Sequence, residues 1–175
     1  MTFLGRIEIA QKGLDLFLQA IAKITDDEGW KYVIAGKGVD SEEERLRRIM
    51  NKLHLEKKVQ LIGKVTGDAK TKLMEETSIM VVPSRFETFS MVSLEAQSYA
   101  LPLVTFNIEG LQWLPQDGVV QSPAFDTDDL AQQIQALEQN DQKRLAMGKA
   151  NMSAVAKYGW NQVIPRYKAV IRELL

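Results

Sequence analysis

The sequence predicts an α/β fold, a doubly wound Rossmann-like parallel sheet with helices on both faces. Two observations predict it. Short apolar runs alternate with segments of helical period along the whole chain. The runs are continuously apolar rather than alternating, as strands covered on both faces must be. Length sets the scale: 175 residues, 45% hydrophobic and 26% charged, suffice for one domain with its own core.

Taken in order, "TFLG" (Thr2–Gly5) is the first strand, followed by a loop over Arg6–Gly13 and a helix from about Leu14 to Thr25. Leu14, Phe17, Leu18 and Ile21 fall at i, i+3, i+4 and i+7 and make one buried stripe. "KYVIAG" (Lys31–Gly36) is the second strand, and Ser41–Leu53 is a charged helix with Ser41 as N-cap. "VQLIG" (Val59–Gly63) is the third, with a helix over Asp68–Thr77 after it. "SIMVVP" (Ser78–Pro83) is the fourth; its helix, Met91–Tyr99, is capped by Ser90 and turns Val92, Ala96 and Tyr99 toward the sheet. "PLVTF" (Pro102–Phe106) and "GVVQS" (Gly118–Ser122) complete the strands, and Thr127 to Leu175 reads as three helices divided near Asn140 and Gly159. Crossovers in such a sheet are right-handed, and the common strand order 3-2-1-4-5-6 sets strands 1 and 4 side by side at a topological switch point.

Composition excludes several classes. A net charge of -1 offers no electrostatic case for nucleic acid. The absence of cysteine removes disulfide frameworks and thiolate metal sites and fits a reducing, cytoplasmic setting. One histidine, His54, rules out a metal site built on two imidazoles. The opening "MTFLGRIEIAQKG" lacks the apolar stretch of a secretory signal, and no apolar run approaches the roughly 18 residues of a membrane span.

Ligands of doubly wound folds bind beyond the carboxyl ends of the strands at the switch point. Two loops flank it here, Arg6–Gly13 and Ser84–Ser90. The second lies in "PSRFETFSMVSLEA" (Pro83–Ala96), which sets Glu87 on the loop and Glu95 one turn inside the helix. Free amides around Ser90, Met91 and Val92 make an anion site at the helix start. The carboxylates suit hydroxyls instead, since each accepts two hydrogen bonds from a vicinal diol. Amides for phosphate and carboxylates for hydroxyls point to a ligand carrying both, a sugar nucleotide. Arg6, with its bidentate fork, and Lys12, a point charge, suit a diphosphate and would stabilise charge on a departing nucleoside diphosphate. A purely structural reading pairs Glu87 with Arg85 on the surface and Glu95 with Lys72 or another exposed cation, and leaves Arg6 and Lys12 solvated.

Three other features carry less. "AGKG" (Ala35–Gly38) ends strand 2 with a GxG that a tight turn also explains, and "GRIEIAQKG" after strand 1 is not the GxGxxG of a dinucleotide site. Asp126 and Asp128 in "DTD" have metal-like spacing, but Asp126 or Thr127 as N-cap, with acids in the first turn, explains them. His54, at a helix end away from both loops, is a poor general base.

In order along the chain, four segments resemble a known family: "FLGRIEIAQKGLDLFLQAI", "YVIAGKG", "VQLIGKV" and "IMVVPSRFETFSMVSLEAQSYALPLV". They are similar to the G-R…K-G-x-x-x-x-x-x-A, G-x-G, V-x-F-x-G-x-V and E-x7-E segments of the C-terminal domain of retaining GT-B-fold glycosyltransferases of the family-four type (glycosyl transferases group 1). The resemblance covers essentially the whole chain, and the ordered set is specific where each segment alone is not. It implies the C-terminal half of a GT-B fold: one nucleotide-sugar-binding domain over residues 1–175, with the N-terminal acceptor-binding domain missing.

Roles follow from the resemblance position by position. Arg6 and Lys12 match the basic pair on the donor's diphosphate, and Glu87 the carboxylate near the donor sugar's hydroxyls; these three form the implied catalytic set. Phe89, Ser90 and Met91 match the loop and helix start whose amides meet donor sugar and phosphate. Glu95 matches the carboxylate on the ribose hydroxyls, and Gly36, Gly63 and Lys64 border the nucleotide. The implied reaction moves a hexose from a UDP- or GDP-linked donor to a saccharide or glycolipid acceptor, as in polysaccharide biosynthesis, with no metal or other cofactor. The chain alone would be inactive, and the full-length protein would be cytoplasmic and peripheral at the inner face of the membrane. Departures from the family pattern are Thr88 and Ser90 where Gly or Pro and Gly are common, Ala100 where Gly usually ends the helix, and a shortened "EGLQWLPQDGVVQSP". Trp160 and Val163 resemble the segment that crosses back onto the missing half, so apolar surface there is expected to be exposed. The competing readings are a Rossmann-like nucleotide-binding module of a sugar-nucleotide epimerase or dehydrogenase, and a non-catalytic interaction domain.

Overall fold

Period-two side-chain alternation splits each continuously apolar run between two cores, and this organises the molecule. The computed structural model of the protein describes residues 1–25 and 29–174. Its six strands are β1 (Thr2–Leu4), β2 (Tyr32–Ala35), β3 (Val59–Gly63), β4 (Met80–Val82), β5 (Leu103–Phe106) and β6 (Val119–Ser122). They form one parallel sheet in the order β3-β2-β1-β4-β5-β6, as expected. In β4, Val81 enters one core while Met80 and Val82 enter the other; in β5, Val104 and Phe106 part from Leu103 in the same way. The first core is closed by Phe17, Leu18 and Ile21 of α2 (Leu14–Lys23), Leu46 of α3 (Asp40–Lys52) and Leu130 and Ile134 of α6 (Thr127–Glu138). Met74 of α4 (Gly67–Glu75) and Ala96 of α5 (Met91–Ser98) close the second.

The expected elements are present, with sharper ends and four differences. A one-turn helix, α1 (Ile9–Lys12), interrupts the loop after β1, because Ile9 is fully buried and draws the chain inward. Helix α3 begins at Asp40 with Val39, not Ser41, as N-cap. Acids in its first turn serve neighbouring amides: Glu43 accepts from the Gly38 amide (3.1 Å) and Glu42 from that of Ile9 (2.6 Å). Helix α5 buries Ser93, Ala96 and Gln97 rather than Val92, Ala96 and Tyr99; Tyr99 is 36% exposed. The small side chains at 93 and 96 let α5 sit between β4 and α7 (Asp141–Val155), a two-sided packing that a one-stripe pattern does not anticipate. The last helix, α8 (Trp160–Glu173), ends before Leu175, which lies outside the described residues.

Two decoys resolve as caps. Asp126 is the N-cap of α6 and accepts from the amides of Asp128 and Asp129, both at 3.0 Å. His54 takes a left-handed conformation (φ 56) just past α3. There the amides of His54 and Leu55 bond back to the carbonyls of Asn51 and Met50, which closes the helix end. Among the described residues no helix is long and apolar enough to cross a membrane.

Candidate functional site

The two loops at the switch point are joined by an ion pair. Glu87 is 8% exposed, and its Oε1 accepts from Lys12 Nζ and from Ser84 Oγ, each at 2.7 Å. Lys12 closes α1, and Gly13 follows at φ 62; a Cβ there would stand 1.9 Å from the Pro83 carbonyl oxygen, so the loops meet this closely only through glycine. From below, Gly110 lies so near the Glu87 carbonyl oxygen that a Cβ would fall 1.8 Å from it. Arg85 does not reach Glu87. It turns away and grips Asp15 with two hydrogen bonds of 2.8 Å, bracing the loop against α2. Burial alone would raise the Asp15 carboxyl, but the Arg85 hydrogen bonds and charge hold it below the usual carboxylate range, and Asp15 in turn raises the Arg85 guanidinium.

Two hollows adjoin beyond the carboxyl ends of β1 and β4. One, of about 270 Å³, is lined by Arg6, Lys12, Ser84, Glu87, Ser90 and Met91. The other, of about 530 Å³, is lined by Gly36, Lys37, Lys64, Lys70 and Glu95. Leu4, Gly5, Arg6, Met91 and Val92 belong to both, so one crevice runs from Glu87 to Glu95. Its volume falls in the range of small-molecule sites. A larger hollow of about 610 Å³ opens at the other end of the sheet, against Ser78, Pro102 and α7, where it is lined by Glu75, Asp141, Arg144 and Lys149. It brings together no loop from the switch point.

Arg6 stands where the two hollows join, with its guanidinium on Glu8 (2.6 Å) and Gln11 (3.0 Å). Glu95 pairs with Lys70 at 2.7 Å; Lys72 faces Glu76 instead at 3.9 Å. Ser90 adopts φ 64, and its Oγ accepts from the Ser93 amide, so it caps α5 as expected. The amides of Ser93 and Leu94 are satisfied by Ser90, whereas those of Met91 and Val92, as first amides of the helix, have no acceptor within it, and both residues line the crevice. Phe89 differs from its neighbours: its ring leaves the crevice and stacks on Trp113 at 4.4 Å, with Tyr158 edge-on at 5.7 Å. Gly36 lines the crevice and donates its amide to the Gly63 carbonyl (2.7 Å); Lys64 lines it too, and Gly63 supports from behind. Among the described residues no group of three His, Cys, Asp or Glu is placed to hold a metal ion.

Residues 1–140 match the family described as Glycosyl transferases group 1. The chain belongs to that family. One relative is the GDP-mannose:cellobiosyl-diphosphopolyprenol alpha-mannosyltransferase of Xanthomonas campestris, 31% identical over 177 residues that cover 95% of this chain and 45% of that protein. Among solved structures, Anabaena HepE in complex with UDP-glucose superposes with a TM-score of 0.86 at 18% identity, covering 99% of this chain and 48% of that one. The C-terminal domain of a glycosyl transferase group 1 protein (LpcC) from Francisella tularensis gives a TM-score of 0.76 at 18% identity, covering 91% and 85%. The fold is thus that of a GT-B glycosyltransferase domain. The chain spans less than half the length of the curated relatives it matches.

Sequence reasoning placed the crevice but missed part of its wall. The sequence does not single out Lys37 or Lys70, the bond of Ser84 to Glu87, or the Asp15–Arg85 brace. Ser84 carried a signal, since it precedes Glu87 by three positions on a loop. Lys70 carried none, because nothing local to "GDAKTKL" says which face of α4 meets α5.

Proposed function

We propose that the chain is the donor-binding domain of a retaining hexosyltransferase that takes its sugar from a nucleoside-diphosphate sugar. One observation carries this reading: Glu87 and Glu95 stand at the two ends of a single crevice, with Arg6 and the first amides of α5 between them. The arrangement gives carboxylates to hydroxyls at each end and donors to a diphosphate in the middle. Glu87, held by Lys12 and Ser84 on Oε1, keeps Oε2 for a donor-sugar hydroxyl. Arg6, Lys12 and the α5 terminus stabilise charge on the departing diphosphate while the acceptor hydroxyl attacks from the face it leaves. The relatives support a nucleotide sugar, one named for GDP-mannose and one solved with UDP-glucose. On this reading the acceptor, a saccharide or glycolipid, is held by a second domain, and the reaction uses no resident metal.

A non-catalytic module is the second reading, and the observation in its favour is that Lys12 and Lys70 already engage one oxygen of each glutamate. A saturation-transfer NMR screen against UDP, GDP, ADP, NAD, UDP-glucose and GDP-mannose decides between them, repeated with Glu95→Ala. The expected result is signal from one nucleoside diphosphate and its sugar, weakened by roughly tenfold in the variant, the worth of a charge-assisted hydrogen bond. Silence from every nucleotide, or binding of NAD alone, overturns the donor-binding reading. A measurable transfer rate from this chain by itself overturns the claim that a second domain is needed.

A further inference from the structure

The Lys70–Glu95 pair joins α4 to α5 across the mouth of the crevice, and both side chains line the same hollow. Resting on the donor-binding reading above, we propose that Lys70 is a positioning residue that sets the selectivity of the site for ribose over deoxyribose.

Glu95 has a three-torsion side chain that is 38% exposed, and an untethered glutamate in such a place samples several rotamers. Lys70 reaches it from a neighbouring helix, at 2.7 Å, and selects one. The bond falls on Oε1, so Oε2 and the remaining Oε1 lone pair are presented in a fixed plane. A vicinal diol rewards that constraint because it needs two acceptor positions at once; a deoxyribose, with one hydroxyl, does not. Charge acts in the same direction. Among the described residues Glu95 is the one carboxylate lining a hollow that also holds Arg6, Lys37 and Lys64, and Lys70 offsets its repulsion of a diphosphate bound among those cations. The pair is half-screened by solvent, with side chains 33% and 38% exposed, so it adds little to folding, and its removal acts on binding rather than on stability.

Isothermal titration of this chain with UDP, GDP and ADP and their 2′-deoxy counterparts tests the proposal in wild type, Lys70→Met, Lys70→Arg and Glu95→Gln. Wild type is expected to prefer the ribose form of the nucleotide it binds by about tenfold, the value of one hydrogen bond to a charged group. Lys70→Met is expected to bring that preference below about threefold without moving Tm, Lys70→Arg to restore it, and Glu95→Gln to remove it. A Lys70→Met variant that binds both forms more weakly but keeps the tenfold preference overturns the positioning role and leaves the donor-binding reading intact. A wild type that binds no nucleoside diphosphate sinks both. A wild type that binds one without regard to the 2′-hydroxyl overturns the role given to Glu95 and, with it, that of Lys70.

Discussion

Ala100 stands at φ 53 immediately past α5, where its amide bonds to the Gln97 carbonyl and the Leu101 amide to that of Ala96, both at 3.0 Å. This closing turn is left-handed, and a Cβ disfavours it by about 1–2 kcal/mol relative to glycine. Ala100→Gly is therefore expected to stabilise the protein by about 0.5–1 kcal/mol after glycine's larger unfolded-state entropy is subtracted, seen as a higher urea midpoint at unchanged m. Ser90 shares the backbone strain (φ 64), but its hydroxyl accepts from the Ser93 amide and caps α5, which offsets part of the cost. Asp15 gives a second test at this scale. Its folded-state carboxyl lies below its unfolded value of about 3.9, so the Arg85 pair contributes fully above that pH and is lost as pH falls through the folded value. Wild type is expected to lose about 0.5–1 kcal/mol more than Asp15→Asn between roughly pH 5 and pH 2, a figure kept small because both side chains are partly exposed. Chemical denaturation across that range measures it; parallel pH profiles for the two proteins would contradict the assignment.

At the scale of elements, strands were legible because their signal is local. A run such as "IMVV" must be buried on both faces wherever it lies, and the alternation of Val81 against Met80 and Val82 only divides it between cores. The start of α3 differs for the opposite reason: Ser41 is a good cap by type, but the amides of Glu42 and Glu43 both bond to the Val39 carbonyl and open the helix at Asp40. The crevice was legible at the level of topology, since the order of strands alone puts the Arg6 and Glu87 loops side by side. Its wiring was not. Lys12 and Glu87 are 75 residues apart, Lys70 and Glu95 25, and Arg85 and Asp15 70, and each cation had several acids within equal reach on paper. Choosing among them requires the approach of Lys70 on α4 to Glu95 on α5 and the closeness that Gly13 permits, neither of which is written in any short stretch.

Across the whole molecule, α8 is the element that belongs least to the core. It buries no residue, and Trp160, Ile164, Tyr167 and Ile171 recur along one side at 76%, 45%, 68% and 54% exposure. An apolar stripe of this kind adds nothing to folding, because the surface stays in water. Ending the chain after Gly159, which keeps Tyr158 against Phe89 and Trp113, is expected to change the unfolding free energy by less than about 0.5 kcal/mol. A loss of several kcal/mol in urea titration would show that α8 packs where its exposure says it does not. A different whole-molecule effect follows from the stretch between β5 and β6. Gly110 abuts the carbonyl of Glu87 and Trp113 lies flat on Phe89, so this connection touches both sides of the loop that offers Glu87 while standing outside the crevice. Insertions and substitutions in residues 107–118 are therefore expected to shift the reach of Glu87 without altering any group that lines the hollow, so the shape of the crevice is open to change from a segment that stands outside it.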